Sequence, residues 1–277
     1  GVARDAAHVV SLNDGEPAYG GTPSDKSVVE AIAALKARGL EVMFHPFILM
    51  DVPSGNGLPD PYGGGEQAAY PWRGRITVRA HDKTAAAASD IASFFGTAAP
   101  SDFSISGGAV VYSGPDEWSF RRFILHNAYL CALAGGVERF LIGSELSGLT
   151  TARSGANNFP FVEALIALAG DVRAVLGEET KISYGADWSE YFGHQPGDGT
   201  GDVYFHLDPF WASSAVDFIG VDNYTPLADW RDGFAHLDAQ AGFDGPYDRD
   251  YLQANIEGGE YFDWYYASDA ARAAQTR

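Results

Sequence analysis

The strongest constraint on this chain is an alternation of short apolar runs with apolar stripes at helical spacing. Val42 to Leu49 is a nearly continuous apolar run, the pattern of a strand buried on both faces. Phe140 to Gly143, Lys181 to Asp187 and Val216 to Tyr224 read as further strands, and Val9 to Leu12 opens the series. Between them run helical stripes: Val28, Ile32 and Leu35, then Phe120, Phe123, Ile124, Ala128 and Cys131, then Phe161, Leu165, Leu168, Val172 and Val175. Strand, helix and strand in close succession are the mark of parallel βαβ units. The pattern predicts an α/β fold of the (β/α)8 TIM-barrel type. It supplies five strands, counted above, where closure takes eight. Either the sheet is open or these residues are part of a longer, here incomplete, barrel.

Local signals set the boundaries. In Thr22-Pro23-Ser24-Asp25, Thr22 is placed to cap a helix, Pro23 suits its first turn and Asp25 supplies a capping-box acid. Gly39, Gly135-Gly136 and Gly177 close helices. Residues 52–81 are rich in Gly and Pro and read as a long loop at a strand's C-terminal end, where clefts are commonly shaped. Thr84 to Phe95 reads as an inserted helix and Ile105 to Tyr112 as a hairpin around Gly107-Gly108. The next helix starts at Ser113 or Asp116, a short one is expected within Asp229 to Gln240, and another from about Ser268. No fixed-period repeat or low-complexity linker appears. Residues 1–277 are therefore expected to form a single domain, with an insertion at 52–117 after the strand at 42–50.

Charge narrows the function. Thirty-seven acidic residues against 18 Lys and Arg give a net charge of −19. Phosphate backbones need Lys and Arg, so nucleic acid is an unsuitable partner, as are anionic membranes; a strongly anionic polysaccharide is disfavoured unless the binding cleft is locally neutral. No apolar stretch approaches the ~20 residues of a membrane span. The first residue is Gly, which reads as a processed or truncated start. The one cysteine, Cys131, lies in an apolar run and reads as a small core residue. His8, His81, His126, His194, His206 and His236 are scattered without ligand spacing, and Asp198 to Asp202 lacks the terminal Glu of a calcium loop. No metal and no cofactor is expected.

In barrels of this type chemistry sits at the C-terminal ends of the strands. Four ends carry polar or aromatic clusters: His45 through Asp51, Gly143-Ser144-Glu145, Tyr184 through Asp187-Trp188, and Asp222-Asn223-Tyr224. Glu145 follows a buried strand directly and is the candidate catalytic acid/base; burial beside Ile142 and Leu146 would disfavour its charged form. Trp188 and Tyr224 offer flat faces on which a sugar can stack. His45, Asp51, Asp187, Asp222 and Asn223 offer bonds to hydroxyls. Glycosidic cleavage, which uses two carboxyl groups about the scissile bond, suits this set. Each residue also has a plainer reading: Glu145 and Asp51 as turn caps, His45 as a satisfied core histidine, Asp187 and Trp188 as structure, Asp222 to Tyr224 as a turn before Thr225-Pro226.

The stretches Phe47-Ile48-Leu49-Met50-Asp51-Val52-Pro53, Trp72-Arg73-Gly74-Arg75-Ile76, Gly143-Ser144-Glu145-Leu146, Ala186-Asp187-Trp188-Ser189-Glu190-Tyr191-Phe192-Gly193-His194, Gly220-Val221-Asp222-Asn223-Tyr224 and Gly258-Gly259-Glu260 through Tyr266 resemble the barrel-like domain of gene transfer agent and phage tail proteins. More distantly, they resemble the retaining clan-A glycosidases related to endo-β-mannanases. The resemblance runs along essentially the whole chain. It implies that the strands at Val9, Val42, Phe140, Lys181 and Val216 are barrel strands 2 to 6, and that Glu145 stands where those glycosidases keep their acid/base. Their nucleophile, a Glu at the end of strand 7, would fall beyond residue 277. Ser144 departs from the Asn usual there. The resemblance further implies a polysaccharide or peptidoglycan substrate, tail or baseplate partners, and a place in a virion or gene-transfer-agent tail assembled in the bacterial cytoplasm. A non-catalytic glycan-binding or structural barrel of a tail hub is the alternative.

Overall fold

A computed structural model describes residues 12–13, 16–17, 23–190, 193–224, 227–256 and 266–276. Packing divides the chain into two compact units, 1–222 and 223–277.

The first unit opens with β1 (Leu12–Asn13), paired antiparallel to β2 (Glu16–Pro17). The strand expected at Val9 to Leu12 otherwise lies outside the described residues. Helix α1 (Asp25–Lys36) is capped by Ser24, whose hydroxyl accepts from Ser27 N at 3.2 Å. The cap falls two residues later than Thr22, because Ser24 holds the extended backbone from which a side-chain oxygen reaches the first turn. Next comes β3 (Met43–Phe44). The apolar run Val42 to Leu49 was expected to be buried on both faces, but only Val42 and Pro46 are buried; Met43 is 56% exposed and Phe47 57%. The reason is position: among the described residues β3 stands at an edge of its sheet.

The insertion follows the expected order. A long loop is broken only by a 3-10 turn at Arg73–Arg75. Then come α2 (Ala85–Phe95), capped by Thr84, and the hairpin β4 (Phe103–Ser106) and β5 (Ala109–Tyr112), turning at Gly107 and Gly108 with positive φ. Helix α3 (Phe120–Leu133) starts later than Ser113 or Asp116, at the Ser119 cap. Asp116 is left outside because Glu117 turns back to bond Thr97 and Ala98.

The core alternation then runs through β6 (Arg139–Ser144), α4 (Ser147–Thr150), α5 (Pro160–Leu176), β7 (Lys181–Asp187), α6 (Asp208–Trp211) and β8 (Gly220–Asp222). Strands β3, β6, β7 and β8 form one parallel sheet in that order. This is the α/β, parallel-sheet architecture of the expected class; among the described residues four strands are joined and the sheet is not closed. The last strand is shorter than Val216 to Tyr224, and Ile219 is 68% exposed at this second edge. The middle strands are dry, with Phe140, Ile142, Ile182 and Tyr184 wholly buried beneath Ile124, Ala128, Phe161, Leu165 and Leu168 of α3 and α5. Cys131 is among them, and burial pushes its thiol up to about 12.

In the second unit, α7 (Leu237–Gln240), α8 (Arg249–Ala254) and α9 (Asp269–Ala273, capped by Ser268) are short. Tyr251 of α8 donates to Asp238 of α7 and accepts from Asp229 N, and Gln275, just after α9, accepts from Leu237 N at the start of α7. No described helix is long and apolar enough to cross a membrane.

Candidate active site

The β6–β7 ladder slips between Leu141 and Ser144, an irregularity of the kind that re-aims the next side chain. Gly143 takes φ +145° and Glu145 φ +51°. A non-glycine residue in the left-handed region costs ~1–3 kcal/mol and persists only where its surroundings hold it. Here Glu145 N donates to Gly185 O at 2.8 Å, and Leu146 N donates to the buried Tyr184 hydroxyl at 2.6 Å. The strained turn places the Glu145 side chain inside, 4% exposed.

That carboxylate is met by two groups from the long loop. Arg73 Nη2 lies 2.9 Å from Oε2, and Trp72 Nε1 donates to the same oxygen at 2.6 Å. Arg73 is itself buried. It donates from Nε to Ser144 O at 2.9 Å and to Ser144 Oγ from Nε and Nη2, and its guanidinium stacks 4.0 Å over Phe47. Burial of Glu145 is therefore offset by a cation that the sequence reading did not place there. Gly74 is required: a Cβ on it would stand 2.3 Å from the Trp72 ring. Gly148 performs the same service for the loop's return, where a Cβ would stand 2.5 Å from Ile76 O.

His45 joins the cluster through Ser144, its Nε2 2.7 Å from Oγ. Arg73 already donates to that oxygen, so the hydroxyl hydrogen goes to His45, which accepts on Nε2. Burial, then the Arg73 charge, hold its pKa below the usual value, with Glu145 opposing. Asp222 ends β8 in register with Asp187. Its carboxyl rests against Gly185, where a Cβ would lie 3.2 Å from Oδ1, and Oδ2 is 3.8 Å from Arg73 Nη2. Burial is the main cause raising its pKa, and the Asp187 and Glu190 charges add to it against Arg73.

The remaining sequence-predicted residues are placed as follows. Asp187 is buried, and its Oδ2 accepts from Ser189 N at 3.0 Å and from the Ser189 hydroxyl. Trp188 is half-buried in the 3-10 turn that follows. Asp51 is half-buried in the loop that follows β3. Asn223 and Tyr224 begin the second unit, with Tyr224 70% exposed. Glu145, His45 and Asp222 are thus drawn together around Arg73.

Sequence reasoning missed Trp72, Arg73 and Glu190 as site residues. The motif Trp72 to Ile76 carried a resemblance, but nothing local tied it to Glu145. Glu190 is buried, accepting from Asp187 N at 2.8 Å and bonding the Thr150 hydroxyl, with His206 Nε2 3.9 Å away. It lines a cleft of about 500 Å3 together with Tyr62, Trp72, Arg75, His194 and His206. Trp72 alone belongs to both this cleft and the Glu145 cluster. The Asp198 loop is closed by the protein's own cations, Lys83 at 2.6 Å and Arg153 at 2.9 Å, which hold its carboxyl well below the usual range. Among the described residues no group of three or more His, Cys, Asp or Glu is arranged to hold a metal.

A family model described as the GTA TIM-barrel-like domain matches residues 118–277, more than half of the chain. The chain belongs to this gene transfer agent family. The match takes in β6, β7 and β8, and hence Glu145, Asp187 and Asp222; the loop carrying Trp72 and Arg73 precedes it. A comparison with curated proteins returns no match.

Proposed function

We propose that this GTA TIM-barrel-like domain serves a tail-associated protein of a gene transfer agent or phage by cleaving a cell-envelope glycan, with Glu145 as a required carboxyl group. One observation carries the reading: a buried carboxylate at the C-terminal end of a central parallel strand, in a strained backbone, bonded by Arg73 and Trp72. Strain and a buried charge at a strand end cost stability, and such costs cluster where chemistry is done. Glycosidic cleavage uses paired carboxyl groups and aromatic faces, and both are present at or beside the cluster. The partners in this reading are a polysaccharide or peptidoglycan and neighbouring tail or baseplate proteins, and its place is the tail.

A second reading, a glycan-holding or purely structural barrel of a tail hub, is favoured by the same enclosure. With 4% of its side chain exposed and Oε2 doubly bonded, Glu145 is positioned as much to lock the loop as to meet a ligand. The deciding experiment measures reducing-sugar release by the full-length protein from β-mannan, peptidoglycan and bacterial surface polysaccharides. Release that vanishes in Glu145→Gln supports the enzyme. A folded protein that releases nothing from any of them sinks it in favour of the second reading.

A further inference from the structure

Trp72 is held on two sides and open on a third. Its Nε1 turns inward and donates to Glu145 Oε2 at 2.6 Å. A Cβ built on Gly74 would stand 2.3 Å from Cη2 of the indole and 2.4 Å from each of its ring neighbours, Cζ2 and Cζ3. Near-equal distances to adjacent ring atoms put Gly74 over one face of the indole and not at its edge. Trp72 is nevertheless 44% exposed, so the opposite face and the outer edge of the ring are what meets solvent. Trp72 lines the cleft of about 500 Å3, and so does Tyr62, 51% exposed. That volume lies within the ~300–1,000 Å3 of small-ligand sites.

The rest of the lining fits a ligand that is polar and uncharged. Among the described residues, the charged side chains lining the cleft are Arg75 and Glu190. Arg75 is matched by Asp60, 3.2 Å from its Nη2, and its guanidinium lies 4.2 Å over the Tyr62 ring. Both oxygens of Glu190 accept from within, one from Asp187 N and the other from the Thr150 hydroxyl. His194 also lines the cleft and is held below its usual pKa, by burial first, so it meets a ligand as a neutral ring at pH 7. The net charge of −19 repels an anionic chain. The Thr151 hydroxyl donates to Ser147 O and the Ser189 hydroxyl to Asp187. Both oxygens are left as acceptors towards the cleft, and Gln195 adds an amide that donates and accepts. Flat apolar rings beside donors and acceptors suit a sugar, which has an apolar ring face and a rim of hydroxyls.

We propose that this cleft binds uncharged pyranose units, with the outward face of Trp72 as their stacking platform, and that Trp72 positions the glycan relative to Glu145. The indole is one rigid plate: its N–H fixes the carboxylate and its open face carries the sugar ring. The inference deepens the glycan-cleaving reading and rests on it only for the role of Glu145. Binding in the cleft is shared with the reading of a glycan-holding barrel.

The test is isothermal titration calorimetry of the full-length protein at pH 7 with the uncharged probes mannotetraose, cellotetraose and chitotetraose, and with anionic tetragalacturonate. At least one uncharged probe is expected to bind, and tetragalacturonate to bind about tenfold more weakly or not at all. Trp72→Phe keeps a ring and Trp72→Ala removes it, while both lack the N–H that bonds Glu145. Trp72→Phe should bind within about threefold of wild type and Trp72→Ala about tenfold more weakly, a difference that loss of the Glu145 bond cannot produce. Tyr62→Ala, which leaves the Glu145 cluster untouched, should weaken binding in the same direction. No binding of any uncharged probe, equal affinity for tetragalacturonate, or equal losses in the Phe and Ala variants overturns the cleft. Sugar release is scored separately, and there Trp72→Phe should lower kcat with little change in KM; an unchanged kcat refutes the positioning role. Binding without release keeps the cleft and withdraws both the enzyme and that role. Release that persists unchanged in Trp72→Ala keeps the enzyme and loses the cleft.

Discussion

Replacing Arg73 by Met tests the physical account of the site most directly. Arg73 is 6% exposed and is paired with Glu145 at 2.9 Å. Removing one partner of a buried ion pair costs ~3–5 kcal/mol because the other charge is left in a dry site. The orphaned anion has an escape, which is to take up a proton. Protonating an ordinary glutamate costs about 3.7 kcal/mol at pH 7 and about 1 kcal/mol at pH 5. This sets a ceiling on the electrostatic part of the loss, and the ceiling falls with pH. The bonds from Arg73 to Ser144 add a loss of ~1–2 kcal/mol that does not depend on pH. Urea unfolding should therefore show Arg73→Met destabilised by about 4–5 kcal/mol at pH 7 and about 2–3 kcal/mol at pH 5. An equal loss at both pH values would refute the claim that Glu145 is the stranded charge. A loss below ~1 kcal/mol at pH 7 would refute the buried pair itself.

Three further substitutions probe the surroundings. Gly185→Ala puts a Cβ 3.1 Å from Ser144 Cβ and 3.2 Å from Asp222 Oδ1; a stability loss of ~1–3 kcal/mol is expected from overpacking, and an unchanged urea midpoint would show that β8 yields freely. Glu117 works against its own burial but accepts from Ser119, Ala98 and Thr97, which bring its pKa to about 2. A depressed carboxylate contributes stability above its unfolded pKa and loses it as pH falls through the folded value. Glu117→Gln should thus lose ~2 kcal/mol at pH 7, with the gap to wild type closing towards pH 2; a gap constant across that window in thermal melts would contradict the assignment. Arg153 is wholly buried between Asp82 and Asp198, so Arg153→Met should cost ~3–5 kcal/mol, and a chevron or urea series showing under ~1 kcal/mol would mean that the carboxylates simply rotate to water.

How much of this was legible in the sequence depends on where each element sits. Lys181–Asp187 forms over its whole expected length as a central strand, with every residue after Lys181 buried. The stripe on α5 and the inserted helix and hairpin were equally readable, since their patterns report a face against a core. Glu145 was identifiable for the same reason, as the first carboxylate after a buried strand. The apolar runs at Val42 and Val216 misled on length, because whether a strand is central or at an edge is decided by its neighbours and not by its own residues.

The sequence by itself thus determined the α/β alternation, the parallel strands and the carboxylate at the end of β6. Tertiary structure alone decided what that carboxylate faces. Trp72 and Arg73 lie 73 and 72 positions upstream of Glu145 in a loop with no periodicity of its own, and Asp222 arrives from another strand. Periodicity records how much water an element loses along its length. It carries no record of which distant charge the folded path brings to within 3 Å, and here that contact sets the electrostatics of the site.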